Sequence, residues 1–281
     1  MSLAAFQGKT VLITGGASGI GQGLAEELGR CGALVVIADR QLELAEKRAA
    51  DIRLAGGKAR AEALDVRDAS AFADLAIRIR AETGSIDYLF NNAGICITGA
   101  VRDYSPEDWR ALVDINVMGV INGIQAVYPL MIEQGYGHIV NTASMAGVTP
   151  SAGLAGYSAT KHAVVGLSTA LRVEAAFEGV NVSVLCPGAI RTPLLASGGK
   201  FGKQLSNLSE AETLATWERM KPMDIHTFAR KALKAVARNR SIIIYPAWYR
   251  LLWWVIRLSP LIIMKLSGPD FKKQHIDTRK Q

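Results

Sequence analysis

Short, mostly apolar runs alternate with amphipathic stretches along the first 245 residues. The runs have strand length and end at polar or turn-forming residues; they are Lys9–Thr14, Ala33–Ala38, Lys58–Leu64, Ile86–Asn91, Gly137–Ala143, Asn181–Cys186 and Ser241–Tyr245. The stretches between them have helical length and spacing; they are Gly19–Arg30, Gln41–Ala55, Ala69–Thr83, Pro106–Glu133, Tyr157–Glu178 and Asp224–Asn239. Strands that alternate with helices in this way predict βαβ units and a parallel sheet.

Two parts of the chain interrupt this alternation. Residues 194–222 are rich in Gly, Ser and Lys and lack clear strand character, which predicts a mobile substrate lid. Residues 247–281 follow the seventh strand as an apolar and basic extension. The sequence therefore predicts one domain over residues 1–246 and a C-terminal extension over residues 247–281.

Composition supports a large core but divides the charge unevenly. Apolar residues make up 49% of the 281 positions. Residues 1–220 carry 19 Lys and Arg against 22 Asp and Glu, whereas residues 221–281 carry 13 against 3. A basic C-terminal part suits an anionic membrane surface, and a solvated helix face is the plain alternative. Nucleic acid is the other partner that such charge suggests, but we expect none here.

Cysteine usage and the N-terminus predict a cytoplasmic protein. Cys31, Cys96 and Cys186 are odd in number and have no CxxC spacing, which favours reduced thiols. The four histidines have no metal-ligand spacing, so we expect no metal site. The first residues contain no apolar run of signal-peptide length.

A glycine cluster, TGGASGIG at Thr14–Gly21, lies between the first strand and the first helix. Glycines at such a turn let a pyrophosphate approach the N–H groups of the helix start. The context predicts a dinucleotide site and a Rossmann-type, doubly wound, seven-stranded parallel sheet with helices on both faces. The candidate contacts of this loop are Gly15, Ala17, Ser18, Gly19, Ile20 and Gly21.

Asp39 stands at the end of the second strand, 18 residues after Gly21. A carboxylate there accepts hydrogen bonds from both adenosine ribose hydroxyls and repels a 2′-phosphate. This favours NAD over NADP. The neighbouring Arg40 leaves NADP open, because its guanidinium could pair with that phosphate.

Three further motifs follow in order: NNAG at Asn91–Gly94, Ser144 with YSATK at Tyr157–Lys161, and PGAIRT at Pro187–Thr192. With the glycine cluster, they make the chain resemble the classical short-chain dehydrogenase/reductase family over about residues 7–193. The resemblance implies an oxidoreductase that uses NAD or NADP and acts on an alcohol or a ketone.

The residue chemistry agrees with that reaction. Tyr157 and Lys161 are four residues apart and share a helix face, so the ammonium is expected to lower the pKa of the phenol. Tyr157 can then act as general base toward an alcohol or as general acid toward a ketone. Ser144 can hold the substrate oxygen. Asn116 matches the family asparagine that kinks its helix and binds a relay water.

The resemblance also implies further cofactor contacts. Asp65 and Val66 would lie at the adenine, Asn91 and Gly94 at the adenosine ribose and cofactor backbone, and Lys161 at the nicotinamide ribose. Ile190 and Thr192 would hold the carboxamide. The remaining residues expected at the cofactor from these motifs are Asn92, Ala93, Tyr157, Pro187 and Gly188.

The residues expected around the substrate are mostly apolar. Those expected to contact it are Ser144, Met145, Ala146, Leu154, Tyr157, Leu194 and Leu195, with Ile95, Cys96 and Ile97 nearby. They favour a hydrophobic secondary alcohol or ketone, such as a steroid, retinoid, lipid-derived or aromatic alcohol. A non-catalytic dinucleotide-binding regulator, or a membrane-surface adaptor on the same fold, is the alternative.

Family resemblance implies a homodimer or homotetramer. Dimers would form through the helices Pro106–Glu133 and Tyr157–Glu178. The usual glycine-rich ending after the last strand is replaced from Pro246 onward, which counts against a tetramer.

The stretch AWYRLLWWVIRLSPLIIMKL, residues 247–266, holds three of the five tryptophans. Arg250, Arg257 and Lys265 interrupt it and Pro260 breaks it, so no uncharged run reaches the roughly 18 residues of a spanning helix. The spacing predicts an amphipathic helix that either lies in a membrane interface or packs on a partner subunit near the substrate entrance.

Overall fold

The computed structural model describes residues 3–196, 201–205, 209–259 and 261. The strands in these residues are β1 (Thr10–Thr14), β2 (Leu34–Asp39), β3 (Lys58–Ala63), β4 (Tyr88–Asn91), β5 (Cys96–Thr98), β6 (Gly137–Thr142), β7 (Val180–Pro187), β8 (Gly202–Gln204) and β9 (Ile242–Tyr245). Seven of them form one parallel sheet in the order β3-β2-β1-β4-β6-β7-β9. This order confirms the predicted doubly wound sheet. The strand order reverses between β1 and β4, where such sheets bind their ligands.

The helices of the described residues are α1 (Gly19–Arg30), α2 (Leu42–Leu54), α3 (Ala69–Thr83), α4 (Pro106–Val113), α5 (Gly119–Gln134), α6 (Ala155–Ala175), α7 (Pro193–Ala196), α8 (Glu210–Arg219), α9 (Ile225–Val236) and α10 (Tyr249–Leu258). A π-helical turn, Asp114–Met118, joins α4 to α5. Short 3-10 turns occur at Leu3–Phe6, Val101–Asp103, Met145–Gly147 and Ala176–Glu178. The predicted helices are present in the structure, but their first and last residues differ from the prediction. For example, α6 begins two residues before Tyr157.

Alternate residues of the strands separate two apolar layers. Leu12 of β1 packs with α3, α5 and α6 on one face of the sheet. Val11 and Ile13 pack with α1, α2 and α9 on the other face. Because successive side chains of a strand point to opposite faces, continuous apolar strands fit a sheet covered on both sides. This confirms the prediction of helices on both faces.

The helix over Pro106–Gln134 is long and apolar enough to cross a membrane by length and composition alone, and 44% of its most apolar window is buried. Its Val120, Ile124, Val127 and Met131 contact the core beside the sheet. These contacts mark it as a core helix of the folded domain.

The segment expected to be an irregular lid contains regular structure. Residues 202–204 form β8, which pairs in parallel with β5, and α8 begins at a capping box between Ser209 and Glu212. The expectation that this segment lacks strands was therefore wrong. A three-residue strand is too short to show a period, but S-x-x-E is a helix-start signal that reasoning from the sequence missed. Its mobility stays a prediction, and its residues 197–200 and 206–208 lie outside the described residues.

The C-terminal extension begins with a helix, as predicted. One face of α10 packs on its own domain, where Tyr249 and Ile256 are buried and Leu252 and Trp253 contact the core. Neither predicted site for this helix, a membrane or a partner subunit, anticipated that contact. Pro260 and residues 262–281 of the predicted extension lie outside the described residues.

Candidate active site

The glycine turn after β1 forms the floor of a cleft at the carboxyl ends of β1, β2 and β4. Gly15 has a φ of +63°, in the left-handed region that favours glycine. A Cβ at Gly21 would lie 2.1 Å from the carbonyl oxygen of Gly15, so any larger residue would push the turn apart. The loop therefore needs glycine at these positions to bring its backbone N–H groups to the cleft.

The Asp39 carboxylate is fixed by two backbone N–H groups. Its Oδ2 accepts a hydrogen bond from Ala17 at 3.2 Å, and its Oδ1 accepts one from Gln41 at 3.0 Å. Asp39 is only 7% exposed and lines the cleft beside Arg40. A rigid anion thus stands where an adenosine ribose would lie in a Rossmann-type site.

A second acidic residue, Asp65, lines the cleft after β3. The Arg67 guanidinium donates to both of its carboxylate oxygens at 3.0 Å and holds the pKa of Asp65 below its usual range, with a smaller contribution from Arg40. Arg67, which the sequence did not single out, also lines the cleft. The Arg67 guanidinium is thus paired with a carboxylate at this end of the cleft.

Most predicted cofactor residues line this cleft. They are Gly15, Ser18, Gly19, Ile20, Asp39, Arg40, Asp65, Val66, Asn92, Ala93, Gly94, Tyr157, Lys161, Pro187 and Thr192. Ala17 and Gly21 do not line it. Ala17 is buried and holds Asp39 through its N–H, and Gly21 packs against the loop backbone. Gly188 and Ile190 line a neighbouring cavity instead.

Asn91, expected near the adenosine ribose, is buried away from the cleft. Its side-chain N–H group donates to Asn141 at 2.9 Å within the sheet layer. The next residue, Asn92, lines the cleft and donates to the carbonyl oxygens of Thr14 and Gly15. The NNAG motif thus uses its first asparagine to tie β4 to β6 and its second to support the glycine turn.

A second cavity of about 300 Å³ adjoins the cleft. All residues expected to contact the substrate line it: Ser144, Met145, Ala146, Leu154, Tyr157, Leu194 and Leu195. Cys96 lines it too, whereas Ile95 lines the cleft. Ile97 is buried and lines neither space.

Several residues of the cavity wall escaped the sequence analysis. Thr213 and Trp217 come from α8, and Tyr249 and Leu252 come from α10. Lys203 of β8 also lines the cavity, and its Nζ lies 3.1 Å from the buried carboxylate of Asp108. The amphipathic spacing of α10 was the one signal available for these residues, because β8 and α8 reach the cavity through long-range packing.

Tyr157 and Lys161 lie together on the first turns of α6, where the cleft meets the cavity. Both side chains are buried, and the Lys161 Nζ is 5.5 Å from the centre of the Tyr157 ring. The same Nζ donates to the carbonyl oxygen of Thr142 at 2.9 Å. Tyr157 lines both spaces, Lys161 lines the cleft and Ser144 lines the cavity.

The electrostatics of this pair differ from the sequence-based expectation. Burial raises the pKa of Tyr157, and a hydrogen bond with Ser144 lowers it in part. Burial also lowers the pKa of Lys161 from 10.5 to about 8. The sequence-based expectation rested on the charge of Lys161, whereas desolvation by burial is the largest cause of both shifts.

Asn116 lies fully buried inside the π-helical turn between α4 and α5. Its amide accepts a hydrogen bond from the Ile95 N–H at 2.9 Å and donates to the Ile95 carbonyl at 2.9 Å. It also donates to the Thr160 hydroxyl at 3.1 Å. Asn116 thus ties the strand-end loop to α6, near Lys161, and π-helical turns of this kind occur often at functional sites.

We expect Asn116→Ala to lower the free energy of unfolding by about 1–3 kcal/mol, because it removes the partner of both backbone polar groups of the half-buried Ile95. Urea denaturation followed by circular dichroism measures the change. Thr160→Val, which removes only one of the contacts, should cost roughly half as much or less. Equal stability of wild type and Asn116→Ala would contradict the assigned role.

Other reactive groups do not form a competing centre. Within the described residues, no cluster of His, Cys, Asp and Glu could hold a metal ion. Burial raises the pKa of Cys96 and of Cys186 to about 12, so neither is a thiolate at neutral pH. The buried His138 contacts Ser183 at 2.8 Å, and burial lowers its pKa to about 3.

Comparison with known protein families decides the assignment. The family model described as short chain dehydrogenase matches residues 9–201 of the chain. The chain belongs to the short-chain dehydrogenase/reductase family. The chain is 41% identical over 210 residues to oxidoreductase UcpA of Escherichia coli strain K12, covering 74% of the chain and 78% of UcpA.

Two further relatives bear on chemistry. The chain is 40% identical over 190 residues to the 2,5-dichloro-2,5-cyclohexadiene-1,4-diol dehydrogenase LinX of Sphingobium indicum, covering 68% of the chain and 76% of LinX. A short-chain dehydrogenase/reductase of Burkholderia phymatum, solved in complex with NAD, superimposes with a TM-score of 0.78 at 29% identity and covers 96% of each chain. A metagenomic member of similar fold was solved with NADP. The family thus uses either dinucleotide.

The residues of the cleft fit a nicotinamide dinucleotide. The glycine turn offers backbone N–H groups to a pyrophosphate, and the fixed Asp39 carboxylate offers an acceptor to ribose hydroxyls. Tyr157 and Lys161 close the opposite end of the same cleft. The chain therefore has residues suited to both the adenosine end and the nicotinamide end of a family cofactor site.

Proposed function

We propose that the protein is an NAD-dependent dehydrogenase that interconverts a hydrophobic secondary alcohol and its ketone. The observation that carries the proposal is the position of Tyr157, which faces both the dinucleotide cleft and the apolar cavity. A group at that junction can exchange a proton with a substrate in the cavity. When bound in the cleft, the nicotinamide supplies acceptance or donation of a hydride.

The residues at the junction have distinct roles in this proposal. Ser144 donates a hydrogen bond to the substrate oxygen and places it beside Tyr157. Tyr157 accepts the hydroxyl proton during oxidation, or donates it during reduction. The Lys161 ammonium donates a hydrogen bond to the Thr142 carbonyl, which fixes its position beside the Tyr157 phenol. From there it holds the nicotinamide ribose. Asn116 positions the Ile95 loop and α6 around this group.

The cavity favours an apolar substrate. Its wall consists mainly of aliphatic and aromatic residues, including Met145, Leu154, Trp217 and Leu252. The cation in the wall, Lys203, is already paired with the buried Asp108. A steroid, retinoid, lipid-derived or aromatic alcohol would meet these requirements, and the name of LinX describes an enzyme for a cyclic diol. Oxidation of the alcohol is the direction that an NAD enzyme favours in a cell.

The preference for NAD rests on the charges at the adenosine end. Asp39 has both oxygens fixed by backbone N–H groups, so it cannot swing away from a 2′-phosphate. Arg67 is held by Asp65, and Arg40 lies in the field of the same carboxylate. The two guanidinium groups that could recognise a phosphate are thus partly neutralised, which favours a free 2′-hydroxyl.

We expect Asp39→Asn to weaken the use of NAD about 10- to 100-fold in kcat/KM, because a charged acceptor of the ribose is lost. The use of NADP should improve at the same time, since like-charge repulsion is removed. Initial rates with each cofactor measure the ratio of kcat/KM for NAD to kcat/KM for NADP. Exposed Asp74→Asn on α3 serves as the control and should leave the ratio of kcat/KM for the two cofactors unchanged. An unchanged ratio in Asp39→Asn would contradict the NAD assignment.

A panel of apolar secondary alcohols tests the function directly. The purified protein is mixed with NAD, and NADH formation is followed by absorbance; the same panel of ketones is tried in reverse with NADH. Turnover of at least one pair is expected. If NAD binds but no alcohol or ketone is turned over, the protein is better described as a dinucleotide-binding regulator on the same fold.

Self-association is part of the proposal. Val113 and Met118 on the α4–α5 helix, and Val173 and Phe177 at the end of α6, are apolar and exposed in the single chain. Exposed apolar side chains along these two helices fit a homodimer. A tetramer through the last strand is less favoured, because α10 follows β9 directly. A cytoplasmic location stays a prediction.

A further inference from the structure

The exposed face of α10 is apolar, although the opposite face is already buried on the domain. At about 100° per residue, Leu251, Trp254 and Leu258 fall on one side of the helix, and they are 72%, 57% and 86% exposed. Trp248 before the helix and Leu261 after it are also more than half exposed. Five large apolar side chains thus face outward along ten helical residues and their flanks.

The border of this apolar face is basic. Arg250 and Arg257 are seven residues apart and lie between the exposed stripe and the buried face. Neither forms an ion pair with another described residue, and Arg257 lies 5.2 Å from the Trp253 ring centre. Residues 221–281, which include this helix, carry 13 Lys and Arg against 3 Asp and Glu. The whole C-terminal part therefore repels cations and attracts anions.

From these observations we propose that α10 docks on an anionic lipid surface. Leu251, Trp254 and Leu258 would enter the interface between headgroups and acyl chains, and the two arginines would reach the lipid phosphates. Tryptophan is the side chain most enriched at such interfaces, because its ring is apolar and its N–H is polar. The charge of the face selects anionic headgroups.

The docking surface is the back of the substrate cavity. Tyr249 and Leu252, on the inner face of α10, line that cavity. A Cβ at Gly188 would lie 2.2 Å from the Tyr249 ring, so α10 also packs closely on the loop after β7. Docking would place the cavity wall at the membrane surface, where an apolar alcohol is concentrated. This consequence rests on the proposed function; the docking itself does not.

A second copy of the chain is the competing occupant of this face. A stable interface buries about 800 Å² on each partner, from some 20–30 residues. The exposed stripe offers five large side chains on a helix of ten residues, bordered by arginines that would repel their symmetry mates. The small area and the like charge both favour lipid over a second copy.

Vesicle co-sedimentation tests the proposal with the full-length protein. One vesicle population is phosphatidylcholine alone, and the other has equal parts of phosphatidylcholine and phosphatidylglycerol. We expect binding to the anionic vesicles that weakens as salt increases. Leu258→Glu should weaken it roughly tenfold or more. Arg250→Gln and Arg257→Gln should each weaken it about fivefold on anionic vesicles.

Leu54→Glu on α2 is the matched control, because Leu54 is 87% exposed and lies on another surface. It should leave vesicle binding unchanged. Thermal unfolding and NAD binding, measured for both glutamate variants, separate lost docking from lost folding. Wild type that sediments with neither vesicle, or equal losses in Leu258→Glu and Leu54→Glu, would overturn the proposal. The proposal would also be overturned if wild type bound no vesicles and Leu258→Glu had a lower oligomeric mass, because the face would then be an interface between copies of the chain.

The two proposals fail separately. Vesicle binding that follows this pattern, without turnover of any alcohol, would reject the dehydrogenase assignment and keep the docking surface. Turnover of an apolar alcohol by a protein that does not bind vesicles would keep the dehydrogenase assignment and reject the docking surface.

Discussion

Tyr157→Phe should lower kcat/KM for the alcohol by about 10²–10⁴-fold, the contribution expected of a general acid–base group. The phenol is the one titratable hydroxyl that lines both the cleft and the cavity within the described residues. Removing a single oxygen leaves the aromatic packing of the site in place. NAD affinity, measured by fluorescence titration, should therefore change little.

Tyr104→Phe is the matched control for this loss. The Tyr104 hydroxyl donates to the Ile97 carbonyl near the cavity but lines neither space. That variant should lose some stability and keep most of its turnover. If Tyr157→Phe retained wild-type turnover, the proton would move through another group and the assigned mechanism would be wrong.

Lys161→Met should abolish turnover and, at neutral pH, stabilise the fold. The ammonium is buried, and burial lowers its pKa from 10.5 to about 8. Keeping it charged in the folded state at pH 7 therefore costs about 1–3 kcal/mol. Methionine has a similar shape without the charge, although the hydrogen bond to Thr142 is lost. Because the Thr142 carbonyl loses its donor, the free energy of unfolding without cofactor should rise by less than that cost.

The pH dependence gives the sign of the same effect. Between pH 8 and 10.5 the unfolded wild-type chain holds more protons at Lys161 than the folded chain. Wild-type stability from this group therefore increases as pH rises through that window. The advantage of Lys161→Met should be largest at pH 7 and shrink toward pH 10. Exposed Lys47→Met is the control for the loss of a lysine elsewhere on the surface. A methionine variant that is less stable at pH 7 would contradict the account.

The sequence predicted the sheet and the core of the site because both depend on local signals. Apolar strands and amphipathic helices alternate clearly, and the glycine turn, Asp39, Ser144 and the Tyr157–Lys161 pair each follow a strand end or open a helix. In a parallel sheet all strand ends of one kind meet at one edge, so these separated motifs come together.

What the sequence did not predict depends on long-range contact or on burial. The pairing of β5 with β8 involves three residues on each strand, separated by more than a hundred positions. Lys203 and Trp217 reach the cavity only through that packing. The pKa of Tyr157 is raised because the folded chain buries it, and spacing along a helix cannot reveal desolvation.

The amphipathic pattern of α10 was clear, but which face it would bury was not. Its four inner residues, Tyr249, Leu252, Trp253 and Ile256, pack on the domain, and its other apolar face stays outside. The helix has one apolar face on the domain and a second apolar face outside, with two arginines along one border between them. This pattern fits a helix that lies between a folded domain and a lipid surface. That arrangement is what links the substrate cavity to the proposed docking surface.

Hydride transfer from the carbinol carbon is the central claim, and isotope transfer measures it directly. The enzyme is incubated with NAD and an alcohol from the panel that carries deuterium on its carbinol carbon, and the reduced cofactor is analysed by mass spectrometry. The account predicts NADH that carries one deuterium, formed at least about 10²-fold more slowly by Tyr157→Phe than by wild type. Reduced cofactor without the label, or labelled NADH formed at the wild-type rate by Tyr157→Phe, would contradict it.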